Sequence, residues 1–294
     1  MLPYRPEGTV TAPPTAEQLH SAIESEEILQ ANCVKCDEFH NLHVDLGPIQ
    51  GIITREETAL GIAEGTLNEY AILSRVGKTV SFRVLSMDRD GHAVLSRRKA
   101  QEEARSFFLS AVSPGDVIPA VVQTPANFGV FCDIGCGFIA LMRIDRCCVS
   151  RLRSTAERFR PGEHIFAAVL SVDDTAEQIN LTGRELLGTW EQNAERFRSG
   201  QTVVGIVRSI MPYGLFVELT PNLSGLSEYQ SGIGVGDRVS VYIRSIQPDR
   251  HKVKLTILEK LGAAPTQSVP EYFITSGHIR KWEYYPGSRA VTCF

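Results

Sequence analysis

Hydrophobic and polar residues alternate along one short phrase that the chain repeats three times, at 40–47, 128–135 and 213–220. In the third copy Leu215, Val217 and Leu219 alternate with Phe216 and Glu218, the period of a half-buried strand. The aliphatic set defines a core face. Phe216 then lies on the outer face with the acid, and Tyr213 stands just before it. The second copy repeats the pattern, with Val130, Cys132 and Ile134 inward and Phe131 and Asp133 outward, Phe128 three residues before Phe131. A large aromatic on the polar face of a strand implies either a flat ligand that stacks on it, for which a nucleobase fits, or a linker helix or neighbouring barrel that covers it.

Each phrase sits inside a longer unit. A glycine turn and a β-branched strand precede it at Gly115-Asp116-Val117 and Gly200-Gln201-Thr202-Val203. A second glycine turn follows at Gly77, Gly162 and Gly236, and a short strand ends the unit at Val94-Leu95-Ser96, Asn180-Leu181-Thr182 and Lys254-Leu255-Thr256. Four or five short strands separated by glycine turns predict a small barrel in each unit. Between units the period changes. Residues 97–110 and 184–198 carry apolar residues at helical spacing and predict short amphipathic linker helices. Thr15-Ala16-Glu17-Gln18 is a capping box that opens a helix reaching about Leu29, and the segment after 262 is expected to be loose before an aromatic tail. The expected division is 1–27 extended segment and helix, 28–98 degenerate barrel, 99–112 linker, 113–183 barrel, 184–198 linker, 199–260 barrel and 261–294 tail.

Composition narrows the class. With 294 residues and 43% hydrophobic content the chain supports two or three small cores. It holds no apolar run long enough for a membrane helix, and its first residues lack the basic-then-apolar order of a signal peptide. Seven cysteines without framework spacing suit reduced thiols, so a cytoplasmic location is expected. The net charge of −4 runs against simple nucleic-acid binding, but the charge is uneven. Residues 199–260 hold seven Lys/Arg against five acids, while the first 26 hold one Arg against four Glu.

The motifs Phe128-Gly129-Val130-Phe131 and Tyr213-Gly214-Leu215-Phe216-Val217-Glu218-Leu219, the Gly225-Leu226 turn, Val235-Gly236-Asp237-Arg238-Val239 and Val253-Lys254-Leu255-Thr256 resemble the RNA-binding domain of bacterial ribosomal protein S-one. Residues 42–57 resemble a degenerate copy, and 188–227 resemble the S-one-like proteins of Gram-positive bacteria. The resemblance covers roughly 28–260. It implies a mainly β chain of three tandem OB-fold barrels, each five-stranded and Greek-key, joined by short amphipathic helices. It implies a non-catalytic binder of single-stranded RNA or mRNA acting in translation on the small ribosomal subunit, with no cofactor, metal, membrane or small-molecule substrate. The RNA face it implies maps to Phe128, Phe131, Ala140, Asp173 and about Gln178 in the second repeat, and to Tyr213, Phe216, Glu228, Gln247 and Lys252 in the third. The family's third-strand histidine is absent from both. In the first repeat the aromatic positions become His40 and His43, expected to bind weakly or to serve another purpose.

Arg208, Arg244, Lys252 and Lys254 form a candidate basic rim; the competing reading is a solvated strand face. Arg143, Arg146, Arg151, Arg153, Arg158 and Arg160 lie in a long connection that could track phosphates, or touch a protein or the acidic N-terminal segment. Cys33-x-x-Cys36 with His40 and His43 has zinc-type ligands, but the repeat places these residues on strands with too little chain between them for a finger. No nucleotide-binding or nucleophile motif is present, so no catalytic residue is expected. A second hypothesis makes the chain a docking or scaffold module of a ribosome-associated or RNA-decay complex, attached through the first repeat.

Overall fold

The computed structural model describes residues 3–9, 12–88, 91–263 and 270–294. Fifteen strands close into three five-stranded barrels. The first holds β1 (Leu29–Cys36), β2 (Leu42–Leu46), β3 (Ile49–Ile53), β4 (Thr79–Met87) and β5 (His92–Ser96); the second holds β6 (Val117–Pro125), β7 (Gly129–Gly135), β8 (Phe138–Arg143), β9 (His164–Asp173) and β10 (Gln178–Thr182). The third holds β11 (Thr202–Met211), β12 (Gly214–Thr220), β13 (Leu223–Ser227), β14 (Asp237–Gln247) and β15 (Lys252–Ala263), and a hairpin of β16 (Lys281–Glu283) and β17 (Val291–Cys293) follows. In every barrel the spatial order is first, second, third, fifth, fourth strand, closed by the fourth pairing with the first. The third and fifth strands are parallel and the other neighbours antiparallel. This is the OB-type Greek key that the resemblance implied.

The repeated glycines explain why one sequence pattern closes three times. Gly77, Gly162 and Gly236 have φ of 78°, 82° and 93°, a left-handed turn that β-carbons disfavour. Each donates its N–H to the same place on a first strand, the carbonyls of Cys33, Val122 and Val207. Each first strand is bulged just after that point, between Cys33 and Lys35, Val122 and Thr124, and Val207 and Ser209. The bulge coils the strand so that one end pairs with the second strand and the other with the fourth.

The helices differ from expectation at their ends. Helix α1 (Ala16–Ser25) has the expected capping box at Thr15 but stops at Ser25, with Glu26 left-handed. Helix α2 (Tyr70–Leu73) is one turn in the third-to-fourth-strand connection of the first barrel. Helix α3 (Arg97–Ala111) buries Ala100, Ala104 and Phe108, and these join the core of the second barrel. Helix α4 (Ile144–Cys147) follows β8, and the expected 184–198 helix is a 3₁₀ turn (Arg184–Leu187) and α5 (Trp190–Ala194). Gly188, at φ 81°, breaks it. The break lets Leu187 enter the second core and Trp190 the third.

Both ends of the chain act as straps between barrels. Cys136 N–H donates to the Arg5 carbonyl, and the Glu7 carboxylate lies buried between barrels one and two, where Arg97 donates to it at 2.7 and 2.9 Å and the Ser81 N–H at 3.0 Å. At the other end the structure begins again at Pro270. His278 bridges Asp116 and Ile279 N–H donates to the Gly115 carbonyl of the second barrel, while Trp282 and Tyr284 pack into the third core. The tail from 270 is therefore docked rather than loose; residues 264–269 of that call lie outside the described residues. The second and third barrels also meet directly. Asn222 is fully buried, accepts from Val149 N–H, and donates to the carbonyls of Arg184 and Gly188.

Candidate nucleic-acid interface

The second-strand phrase places its aliphatic residues in the core in all three barrels, with Leu42 and Val44, Val130 and Cys132, and Leu215 and Val217 buried. Leu219 is only half-buried, because a register shift between Glu218 and Thr220 disturbs the alternation. The aromatics stand on the outer face. Phe128 is 59% exposed, and its ring meets half-buried Phe131 edge-on at 5.8 Å and 84°. Tyr213 is 65% exposed and meets Phe216 at 6.2 Å and 86°. Two barrels thus present the same perpendicular pair from the same strand. One ring leans on the barrel and fixes the other, which leaves a free face toward solvent.

Neighbouring strands complete the surface. Phe131 is opposite Leu141 on β8, and Leu141 is opposite Asn180 on β10. Arg143, Arg146, Ser171 and Asn180 border an open depression of about 350 Å³ beside this row. Ala140, expected on the face, points into the core, and Leu141 takes its place because the outward phase of β8 runs through 139, 141 and 143. In the third barrel Phe216 is opposite Leu226, and Lys254 is opposite Leu226. Lys254 therefore holds the position of Asn180. Lys252 and Lys254 are exposed and form no ion pair among the described residues. Arg244 is exposed, donates to Thr256 Oγ1 at 2.5 Å and lies 3.7 Å from Glu228. Tyr229, unremarked in the sequence, is exposed just beyond β13.

Several expected contacts have other partners. Arg208 is only 8% exposed and is not on the rim: it donates to Glu218 from Nε and Nη2 and to Glu157 from Nη1. Arg158 is buried against the same Glu218, 2.9 Å from both carboxylate oxygens. Glu218, placed outward by alternation, is therefore a buried junction between barrels two and three. Burial pushes its carboxyl up, but Arg158 and Arg208 outweigh this and hold it below the usual range. Asp133 is also buried rather than outward, under the N-terminal strap, and accepts N–H groups from Glu7, Gly135 and Gly137. Burial first, and then the charge of Glu7, push its carboxyl up to about 7.

Of the long arginine connection, Arg143 and Arg146 pair with Asp145 and Arg151 is exposed. Arg153 is exposed but bonds Glu157 and the Val235 carbonyl of the third barrel, so it also serves the junction. Asp173 is exposed and caps its own turn by accepting from Thr175 and Ala176 N–H.

The first barrel carries a different surface. His43 contacts Asp37 at 3.2 Å, and His40, at φ 61°, contacts Glu69 at 3.5 Å. Burial pushes Asp37 up, but hydrogen bonds from Asn41, His43 and Phe39 outweigh it and hold the carboxyl at about 2. Carboxylates thus stand where the other barrels offer free rings. Around them Val34, Phe39, Tyr70 and Leu73 are exposed. Cys33 is in the core, away from the two imidazoles, and no group of three metal-ligating side chains occurs among the described residues. Among the described residues no helix is long and apolar enough to cross a membrane.

No family model matches the chain. It is 28% identical over 273 residues to the small ribosomal subunit protein bS1 homolog of Bacillus subtilis, covering 87% of this chain and 69% of that protein. It is 26% identical over 272 residues to small ribosomal subunit protein bS1 of Staphylococcus epidermidis, covering 87% and 66%. It is 28% identical over 199 residues to bS1 of Mycobacterium tuberculosis, covering 62% and 41%. The relatives carry the family name that the sequence motifs implied, and the chain spans from about two fifths to about two thirds of their length. A solved multidomain protein with nucleic acid binding domains from Streptococcus pneumoniae is 14% identical with a TM-score of 0.27, covering 79% of this chain and 73% of that one.

Proposed function

We propose that this chain is a non-catalytic, cytoplasmic binder of single-stranded RNA, acting on mRNA in translation at the small ribosomal subunit as the name of its relatives suggests. The observation that carries the proposal is the duplicated aromatic pair, exposed Phe128 on half-buried Phe131 and exposed Tyr213 on half-buried Phe216, at the same position of two barrels. Every base has a face to stack, so the surface favours single strands over duplex and shows little sequence preference. Lys252, Lys254, Arg244 and Arg143 supply the phosphate contacts; Arg208 does not. The barrels are packed by buried ion pairs rather than flexibly linked, so the two platforms stay at a fixed separation and a strand that spans both gains affinity without a linker penalty.

The test is fluorescence anisotropy of a labelled, unstructured RNA of about 20 nucleotides over a salt series. Loss of stacking costs about 1–3 kcal/mol per base. The Phe131→Ala/Phe216→Ala variant is therefore expected to bind at least tenfold more weakly, with an unchanged salt slope. Equal affinity of wild type and variant would sink the proposal.

A second reading applies to the first barrel, where Val34, Phe39, Tyr70 and Leu73 are exposed around paired histidines and carboxylates. An apolar surface with no free ring–cation row suits a protein partner better than RNA. Phe39→Ser/Tyr70→Ser is expected to reduce co-sedimentation with ribosomes while leaving RNA anisotropy intact; loss of both together would count against it.

A further inference from the structure

The two junctions between barrels are built from equivalent positions, and one of them is incomplete. Val122 pairs with Cys132 as Val207 pairs with Val217, so Gln123 holds the place of Arg208. At the second junction Arg208 fills that place with its guanidinium and pairs with Glu157 and Glu218. At the first junction Gln123 is shorter and neutral, and a cavity of about 330 Å³ opens between the barrels. Arg75 and Lys78 line one side, His164 and Gln123 the other, with Val121 and Pro161 as an apolar wall.

The charges around this cavity do not balance. Arg75 approaches Glu7 only to 3.5 Å and Ser74 Oγ to 3.3 Å, and its Nε has no hydrogen-bond partner among the described residues. Glu7 is already engaged at closer range by Arg97. Lys78 forms no ion pair among the described residues, and burial followed by the charge of Arg75 makes its ammonium easier to deprotonate. Glu7 is the one acid among the residues that line the cavity, and Glu163, between the lining residues Gly162 and His164, accepts from Arg160 N–H. Three cations (Arg75, Arg97, Lys78) therefore face Glu7 and Asp133, and, unlike the guanidiniums of the second junction, Lys78 has no carboxylate within ion-pair distance among the described residues. An anion between Arg75 and Lys78 would use idle donors and relieve the repulsion between them.

We infer that this cavity is a phosphate-binding site of mononucleotide size, with the phosphate between Arg75 and Lys78 and the sugar and base against Pro161, Val121 and His164. Ligand pockets start at roughly 300 Å³, which leaves room for one nucleotide and no more. The site is separate from the aromatic platforms and stands or falls independently of them.

Isothermal titration of the full chain with AMP, inorganic phosphate and adenosine tests it. AMP and phosphate are expected to bind and adenosine not to. Lys78→Met, which keeps the aliphatic stem at an exposed position, is expected to weaken AMP at least tenfold. The Phe131→Ala/Phe216→Ala variant, folded by circular dichroism, is expected to bind AMP as wild type does. Adenosine binding as tightly as AMP, or AMP affinity unmoved in Lys78→Met, would overturn the inference. An RNA octamer then assigns the phosphate's source: displacement of AMP by the octamer marks an RNA phosphate, and co-occupancy marks a free nucleotide.

Discussion

Asp133 and Glu218 occupy the same position on the second strands of neighbouring barrels, and both are buried where two barrels meet, yet they live in opposite electrostatic worlds. Glu218 is held by two arginines, Arg158 from the preceding barrel and Arg208 from its own. Asp133 has three N–H donors, no arginine in ion-pair contact among the described residues, and a second carboxylate, Glu7, beside it. At the first junction the arginine goes to Glu7 instead, a residue brought in by the N-terminal strap. The difference teaches that the repeat supplies a socket, an outward acid on the second strand, and that the surrounding chain decides how the socket is filled. The first copy of the phrase shows the socket empty: Asp45 is exposed and accepts its own turn's Gly47 N–H.

Removing each acid sharpens the contrast most. Glu218→Ala leaves Arg158 and Arg208 buried without their shared partner, a change that costs about 3–5 kcal/mol. Urea unfolding should show that loss, and the RNA platforms should lose their fixed separation, seen as a weaker gain in affinity from 10 to 20 nucleotides. Glu7→Ala removes the partner of Arg97 but also the charge that repels Asp133. Asp133 already acts on Arg97 through its charge, so it inherits the guanidinium. The expected cost is about 1–3 kcal/mol, the range of an unmet buried group rather than of an orphaned ion. Equal losses in the two variants would break the comparison.

The phase of these strands was legible in the sequence, and so were the aromatic pairs, because alternation says which residues avoid the core. It does not say what covers the other face. Alternation places Arg208 and Glu218 off the core but leaves them to solvent, since the residue that seals them, Arg158, lies 60 positions from Glu218. Asp133 follows the same rule: alternation places it outward, and the Glu7 N–H that covers it comes from 126 positions away. The barrel order followed from the resemblance rather than from periodicity. The break in the second linker was written in Gly188, whose left-handed turn helical spacing alone ignores. Tyr229 carries no periodic signal because it follows its strand rather than sitting in it.

Acidity separates the junctions next. Asp133 has a folded pKa raised to about 7, above the usual carboxylate value near 4. The folded state therefore holds a proton that the unfolded chain has released, and stability present at low pH is lost as pH rises through that window. The slope is at most about 1.4 kcal/mol per pH unit. Glu7 and Glu218 are shifted down, so their contributions are complete above about pH 5 and fade only in acid. Melting followed from pH 5 to 8 should fall for wild type and stay flat for Asp133→Asn. A parallel fall in both would place the titrating group elsewhere.

The smallest effect is expected at the empty socket. Asp45→Asn keeps an oxygen that can accept from Gly47 N–H, and the site is exposed, so stability should move by less than about 0.5 kcal/mol. RNA affinity should also be unchanged, because the row beside Asp45 carries His43 bound to Asp37 instead of a free aromatic pair. A marked loss of ribosome association in Asp45→Asn, with stability intact, would show that this acid does have a partner, outside the chain rather than within it. The three copies of the phrase would then share one use of the acid, anchoring a neighbour, with the neighbour of the first barrel being another protein.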